Sequence, residues 1–159
     1  MEFLEANWLR PHNSAITGEM IIRLRDEYKI PILATLVILG KETSLGDPVM
    51  GGELARKNNF GCIKATTRGP WEETANGTTV IRGTQWWTWP DARTGMDAWG
   101  WYLSTRFDGA YLKWIAEGDW QAFCERYHGL VAGIEAHTID VLHRVANIRA
   151  RAAREGFEW

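Results

Sequence analysis

The spacing of apolar residues in the first part of the chain predicts two consecutive helices. The first can begin at Thr17, and apolar side chains then recur at helical spacing as far as Tyr28. The second follows a proline, which is favoured at a first helical position. Residues 32–40 are apolar on nearly every face, which is typical of a helix at the centre of a domain. We expect this helix to run to Glu42 and to stop near Gly46.

The middle of the chain has a different pattern, rich in glycine, proline and threonine. Asn76-Gly77 is a strong hairpin-turn signal, and the β-favouring run 78–81 follows it directly. This pattern predicts a small lobe of two or three strands over about residues 61–90, with Glu72 and Glu73 on the first strand. Adjacent strand residues face opposite sides, so at most one of these two carboxylates would point into a cleft.

Helical periodicity returns after the lobe and predicts four more helices. The first two lie around residues 96–103 and 111–115, Asp119 caps the third, and the last runs from about Ile134 to Arg154. The residues predicted to face inward on the last helix are Ile134, Ile139, Leu142, Val145, Ala146 and Ile148. The expected fold class is therefore α+β and mostly helical, as a single domain over residues 1–159.

Composition narrows the possible partners. The chain is 45% hydrophobic and 24% charged, which is ordinary for a globular domain and argues against a disordered chain. Its formal net charge of −2 gives no support for nucleic acid as a main partner. The N-terminus has no signal-peptide pattern, and no apolar run approaches the roughly 20 residues that span a bilayer. We expect no membrane insertion and a monomer.

The number and spacing of the cysteines give little support for a metal site or for catalysis by a thiol. The only cysteines are Cys62 and Cys124, and neither belongs to a metal-ligand spacing, so no metal or cofactor is expected. No pattern singles out a thiol protease, either. The histidines are expected at the surface or as caps: His12, His128, His137 and His143.

The chain contains ten tryptophans, which is the most unusual feature of its composition. An indole ring suits the apolar face of a sugar, but it suits a protein core equally well. We expect most of the ten to be structural.

Glu42 is the most promising single carboxylate. Glycoside hydrolysis generally needs a carboxylic acid that keeps its proton near neutral pH until it gives it to the leaving oxygen. Glu42 ends an apolar helix, where burial would disfavour its charged form and raise its pKa. The alternative is an exposed residue of the last helical turn, and the local pattern leaves both interpretations open.

Four ordered segments carry a family resemblance. They are the apolar helix ending in Glu42-Thr43-Ser44-Leu45-Gly46, the run from Leu54 to Lys64, Glu73-Thr74-Ala75-Asn76-Gly77, and Trp89-Pro90-Asp91 before the next helix. Together they resemble the glucosaminidase domains of glycoside hydrolase family 73, which have a lysozyme-like fold. The second segment, with Asn58-Asn59-Phe60-Gly61, is the most specific. The match covers roughly residues 31–127, and Thr43 and Leu45 depart from the family's serine and aromatic residue.

The resemblance implies a site and a substrate. Glu42 would be the general acid and Glu73 the second carboxylate, across a cleft between the helical body and the hairpin lobe. The substrate would be the glycan strand of bacterial peptidoglycan, cleaved at a β-1,4 bond by an endo-N-acetylglucosaminidase. The residues implied to shape or line the substrate site are Asn59, Phe60, Trp86, Trp87, Trp89 and Tyr127.

Several alternatives stay open at this point. A muramidase would differ only in the bond cut. A lytic transglycosylase would use one acid, but the Gly-Leu-Met-Gln segment typical of that family is absent after Glu42. A non-catalytic sugar-binding or virion structural domain would explain the tryptophans equally well. A short enzyme of this kind without a signal peptide is consistent with a phage lysin, released from the host cytoplasm or carried on a virion.

Overall fold

The structure, a computed structural model, describes residues 1–128 and 133–157 and is mostly helical with one small antiparallel sheet. The helices are α1 (Glu2–Leu4), α2 (Gly18–Tyr28), α3 (Ile32–Thr43), α4 (Gly52–Arg56), α5 (Ala92–Thr105), α6 (Ala110–Glu117), α7 (Trp120–His128) and α8 (Ile134–Arg154). The strands are β1 (Gly77–Ile81) and β2 (Thr84–Thr88). The predicted mixture of a helical body and a small β lobe is confirmed. Within the described ranges, no helix combines the length and the apolar character needed to cross a membrane.

Helix α3 forms the centre of the body, as its all-round apolar pattern predicts. Every residue from Ile32 to Leu39 is buried, and α3 packs against α2 and α8. The helix ends at Thr43, because Ser44 and Leu45 adopt left-handed conformations with φ of 49° and 56°. Glu42 therefore lies in the last turn, where the chain leaves the core.

The β lobe is a hairpin whose turn differs from the predicted one. Strands β1 and β2 pair from Gly77 opposite Thr88 to Ile81 opposite Thr84. The turn is Arg82-Gly83, with φ of 50° and 79°, as a tight two-residue hairpin turn requires. The prediction of a turn at Asn76-Gly77 is wrong, because Gly77 begins the first strand and Asn76 directly precedes it, with its side chain accepting a hydrogen bond from the Thr88 hydroxyl.

The predicted strand position of Glu72 and Glu73 is also wrong. Both residues lie on a short 3-10 helix, Pro70–Thr74, that precedes β1. On its other edge, β2 bonds to an extended segment, with Ala65 N–H donating to Gln85 O at 2.9 Å and Trp87 N–H donating to Ile63 O at 3.2 Å. This segment stands where a third strand would.

A buried asparagine connects the lobe to the body. The Asn59 side chain is fully buried and donates to the backbone oxygens of Ile63 and Trp87, both at 2.9 Å, while accepting from Ile63 N at 2.8 Å. The Thr43 hydroxyl donates to Phe60 O at 3.2 Å. These bonds fix the loop of residues 59–63 between the end of α3 and strand β2.

Helix α8 has the predicted bounds but a different buried face. Its buried residues are Thr138, Val141, Val145, Ile148 and Ala152. Ile139 and Leu142, predicted to face inward, are 53% and 46% exposed, and Ala146 is exposed as well. Thr138 can lie on the buried face toward α3 and α7 because the Thr138 hydroxyl donates to Ile134 O within the helix. The hydroxyl therefore needs no water, and a polar residue is tolerated at this position.

A pair of glycine substitutions tests this packing. A Cβ at Gly61 would overlap the ring of Trp99, which is fully buried and cannot move aside. We expect Gly61→Ala to lower the free energy of unfolding by about 1–3 kcal/mol in urea denaturation. The matched control is Gly40→Ala, because a Cβ there would lie 3.7 Å from the nearest atom, at Arg144. It should be neutral or stabilise α3 by up to about 1 kcal/mol. Equal effects of the two substitutions would contradict the packing.

Candidate active site

Glu42 lies where α3, α7 and the 59–63 loop meet. Its side chain is only 13% exposed. The Cys62 sulfur lies 3.9 Å from the Glu42 backbone oxygen, and the His128 Nε2 lies 3.7 Å from the carboxyl Oε1. The local pattern had left Glu42 either buried or exposed, and the structure shows it largely buried.

Burial changes how Glu42 titrates. Loss of water raises the pKa of the carboxyl above its ordinary value of 4.5. A hydrogen bond with the Cys62 thiol and the charges of Lys41 and Arg144 act in the opposite direction, but burial is the largest effect. Glu42 thus has the property that a general acid needs, which is to hold its proton at a higher pH than an exposed glutamate.

His128, at the end of α7, faces the Glu42 carboxyl. Burial lowers the pKa of its imidazole from 6.5 to about 4, and the neighbouring His137 and Lys41 act in the same direction. Burial therefore favours the neutral form of both Glu42 and His128. Since His128 is neutral at pH 7, the contact between them is not an ion pair under those conditions.

Cys62 and Tyr127 complete the surroundings of Glu42. The Tyr127 hydroxyl donates to Gly61 O at 2.6 Å and accepts from Trp99 Nε1 at 3.2 Å. Burial, followed by the nearby Glu42, raises the pKa of both the Cys62 thiol and the Tyr127 phenol well above their usual range. Both groups stay neutral, and the hydroxyl of Tyr127 is used within the protein rather than offered to a ligand.

The two neighbouring glutamates of the lobe have different environments. Glu72 accepts from the Gly69 backbone N–H at 2.8 Å and pairs with Arg68 at 2.7 Å, and these bonds lower the pKa of its carboxyl. Glu73 is exposed, and no described residue forms a hydrogen bond or ion pair with it. Of the two, Glu73 is the one whose carboxylate is free to meet a ligand.

Three of the residues predicted around the substrate are core residues. Asn59 and Phe60 are fully buried, and Trp89 is 2% exposed with its indole N–H donating to Trp71 O. The prediction that Trp89 lines a sugar-binding wall is corrected, because its ring is enclosed by the core. Asn59 and Phe60 shape the loop from inside and present no surface to a ligand.

Trp86 and Trp87 are half-buried on β2. The Trp87 indole Nε1–H donates to Thr67 O at 3.0 Å, and the Arg68 guanidinium lies over the Trp87 ring. Trp86 instead borders a cavity of about 470 Å³ between α4 and the hairpin. The other residues that line this cavity are Gly51, Glu53, Leu54, Ile81, Arg82 and Thr84. Among the predicted tryptophans, Trp86 is the one that lines this cavity, and the Lys64 ammonium lies over its ring.

Comparison of the chain with known protein families, with curated proteins and with solved structures gives no match. The family resemblance therefore remains a prediction based on the four segments. In the described ranges, side chains able to bind a metal ion do not come together in groups of three or more.

The sequence pattern missed the contribution of the last two helices to this site. His128 and His137 were expected at the surface or as caps, but their rings stack with centroids 4.9 Å apart, and His128 lies beside Glu42. Asp140 on α8 bonds Lys41 at 3.1 Å and Arg144 at 3.0 Å, and so ties α8 to the end of α3. His137 lies one helical turn before the buried Val141, so the correct face of α8 would have placed it near the interior.

The raised pKa of Glu42 has a consequence for stability. A carboxyl whose pKa is higher in the folded chain than in the unfolded chain stabilises the fold below its unfolded pKa. That stability is lost as the pH rises through the folded pKa. We expect Glu42→Gln, which cannot ionise, to unfold at a higher temperature than the wild type at pH 7, and the gain to vanish below about pH 4.

The measurement is thermal unfolding from pH 3 to 8, roughly the range in which carboxylates and histidines titrate. Glu73→Gln is the matched control, because the same change on an exposed side chain should leave the unfolding temperature unchanged. A Glu42→Gln variant less stable than the wild type at pH 7 would show that the Glu42 charge is well accommodated in the fold.

Proposed function

We propose that this chain is a peptidoglycan hydrolase of lysozyme-like fold that cleaves a β-1,4 bond of the glycan strand, with Glu42 as the general acid. The observation that carries the proposal is the burial of Glu42 at the end of the central helix, which raises its pKa. The resemblance to family 73 glucosaminidases supplies the substrate class and favours cleavage by an endo-N-acetylglucosaminidase.

The acid step follows from the setting of Glu42. The protonated carboxyl gives its proton to the glycosidic oxygen as the bond from that oxygen to the anomeric carbon breaks. The surrounding Cys62, Tyr127 and His128 are neutral near pH 7, so they do not place a fixed charge beside the carboxyl. The exposed edge of the side chain is where the leaving oxygen would approach.

Glu73 is the proposed second carboxylate. Its exposed side chain is free of protein partners in the described ranges, whereas Glu72 is held by Arg68 and Gly69. It would activate the attacking water or assist attack by the N-acetyl group of the substrate. Trp86 and its cavity are the proposed contact for a neighbouring sugar.

A lytic transglycosylase is the second candidate. Of the two proposed carboxylates, only Glu42 is buried and Glu73 is exposed, and a transglycosylase needs one acid. The product distinguishes the two, because that reaction ends in a 1,6-anhydro sugar and consumes no water.

The test is the clearance of purified bacterial cell walls. Loss of a general acid typically costs about 10²–10⁴-fold in rate, so we expect Glu42→Gln to clear walls at least about 100-fold more slowly than the wild type. Glu72→Gln is the matched control and should keep full activity. Wild-type rates from Glu42→Gln would refute the proposal, and walls untouched by the wild type would favour a non-catalytic sugar-binding domain.

The same assay separates the candidate reactions. Mass spectrometry of the fragments gives a reducing N-acetylglucosamine end for a glucosaminidase, a reducing N-acetylmuramic acid end for a muramidase, and an anhydro end for a transglycosylase. Glu73→Gln should strongly reduce hydrolysis that uses two carboxylates. It should leave a transglycosylase unaffected.

A further inference from the structure

His128 has no role in the proposed reaction so far, yet it faces the carboxyl of Glu42. The two side chains come from different helices and are only 16% and 13% exposed, with His128 Nε2 3.7 Å from Glu42 Oε1. This distance is too long for a hydrogen bond in the resting state. It is short enough for a small movement of either side chain to form one, and hydrogen bonds of active sites often tighten only when substrate is bound.

Helix α8 holds the histidine in this position. The His137 ring stacks on the His128 ring with an angle of 22° between their planes. The bonds of Asp140 to Lys41 and Arg144 fix α8 against the end of α3, one turn beyond His137. The titratable and charged groups around the pair are Lys41, Cys62, Cys124, Tyr127, His137, Asp140 and Arg144.

Among these neighbours, none brings a ring or amide nitrogen as close to the Glu42 carboxyl as His128 does. The charges of Lys41 and Arg144 are shared with Asp140, and Cys62 offers only a weak S–H donor. Once Glu42 has lost its proton, its carboxylate would be a buried charge in need of a strong donor. Among the described residues, His128 is the one whose side-chain nitrogen faces this carboxyl.

We infer that His128 is a positioning residue for Glu42, whose Nε2–H donates to the carboxylate that forms when Glu42 gives up its proton. This inference rests on the proposed function of Glu42. His128 transfers no proton in this step. The proton passes from Glu42 to the glycosidic oxygen while the bond to the anomeric carbon breaks, and His128 stabilises the charge left behind.

Replacing His128 by glutamine or by asparagine makes a matched test. The glutamine amide nitrogen reaches about as far as Nε2 of histidine, whereas the asparagine amide nitrogen reaches only about as far as Nδ1. We expect His128→Asn to lower kcat for wall cleavage by about 10- to 100-fold, the value of a hydrogen bond to a charged group. The alkaline limb of its pH profile should move up by about one pH unit or more, because the ionised form of Glu42 has lost its donor.

His128→Gln should restore both kcat and the alkaline limb to within a few-fold of the wild type. His143→Asn, an exposed histidine on α8, is the control for histidine loss and should match the wild type. A purely structural role would lower activity without moving the alkaline limb. Identical behaviour of the Asn and Gln variants would overturn the inference.

A second measurement does not depend on activity. The stability difference between the wild type and the Glu42→Gln variant, followed against pH, reports the pKa of Glu42 through linkage. In the His128→Asn background, this pH window should move upward, and in the His128→Gln background it should not. An unmoved window contradicts the inference, whereas wall clearance that does not depend on Glu42 contradicts the proposed function alone.

Discussion

The candidate site depends on the three hydrogen bonds of the buried Asn59 side chain. A polar side chain with no exposed surface is tolerated only where its donors and acceptor are all satisfied, and Asn59 achieves this with backbone groups on both sides of the loop. The bonds hold residues 59–63 between β2 and the end of α3. Cys62 is thereby brought against Glu42, and Gly61 is set against Trp99 and the Tyr127 hydroxyl. The most specific part of the family resemblance is therefore a structural element, and it encloses the Glu42 carboxyl.

That enclosure gives Glu42 and His128 opposite responses to the same environment. Burial raises the pKa of the carboxyl and lowers that of the imidazole, because it disfavours the charged form of each. Burial therefore favours the state in which both side chains are neutral, with the proton on Glu42. An acid held neutral beside a neutral donor can release a proton and then have its charge stabilised in place. The same burial costs stability at pH 7, as is common where function requires an unfavourable group in the core.

Much of the helical body could be predicted from the sequence, because its periodicity follows directly from burial. The all-round apolar pattern of α3 gave both its central place and its end near Glu42, and Asp119 caps α7 as expected, accepting from Ala122 N at 3.0 Å. The hairpin turn was predicted wrongly because Asn-Gly is favourable for a turn but also tolerated at a strand start. Trp89 was predicted at the surface and lies in the core, and Ile139 was predicted in the core and is exposed. An apolar residue is compatible with either place, and the neighbouring elements decide between them. The stack of His128 on His137 depends on how α7 and α8 pack, and no local pattern encodes it.

The central claim is that Glu42 keeps its proton at a pH where an exposed glutamate has lost it. The direct measurement is a pH titration of the side-chain carboxyl carbons by NMR on protein labelled with ¹³C-glutamate, with the Glu42 signal assigned by its absence in Glu42→Gln. We expect a midpoint for Glu42 above the ordinary 4.5, and a midpoint below that value for Glu72 in the same sample. A Glu42 midpoint at or below the ordinary value would contradict the account, because the carboxyl would then have no proton to give near neutral pH.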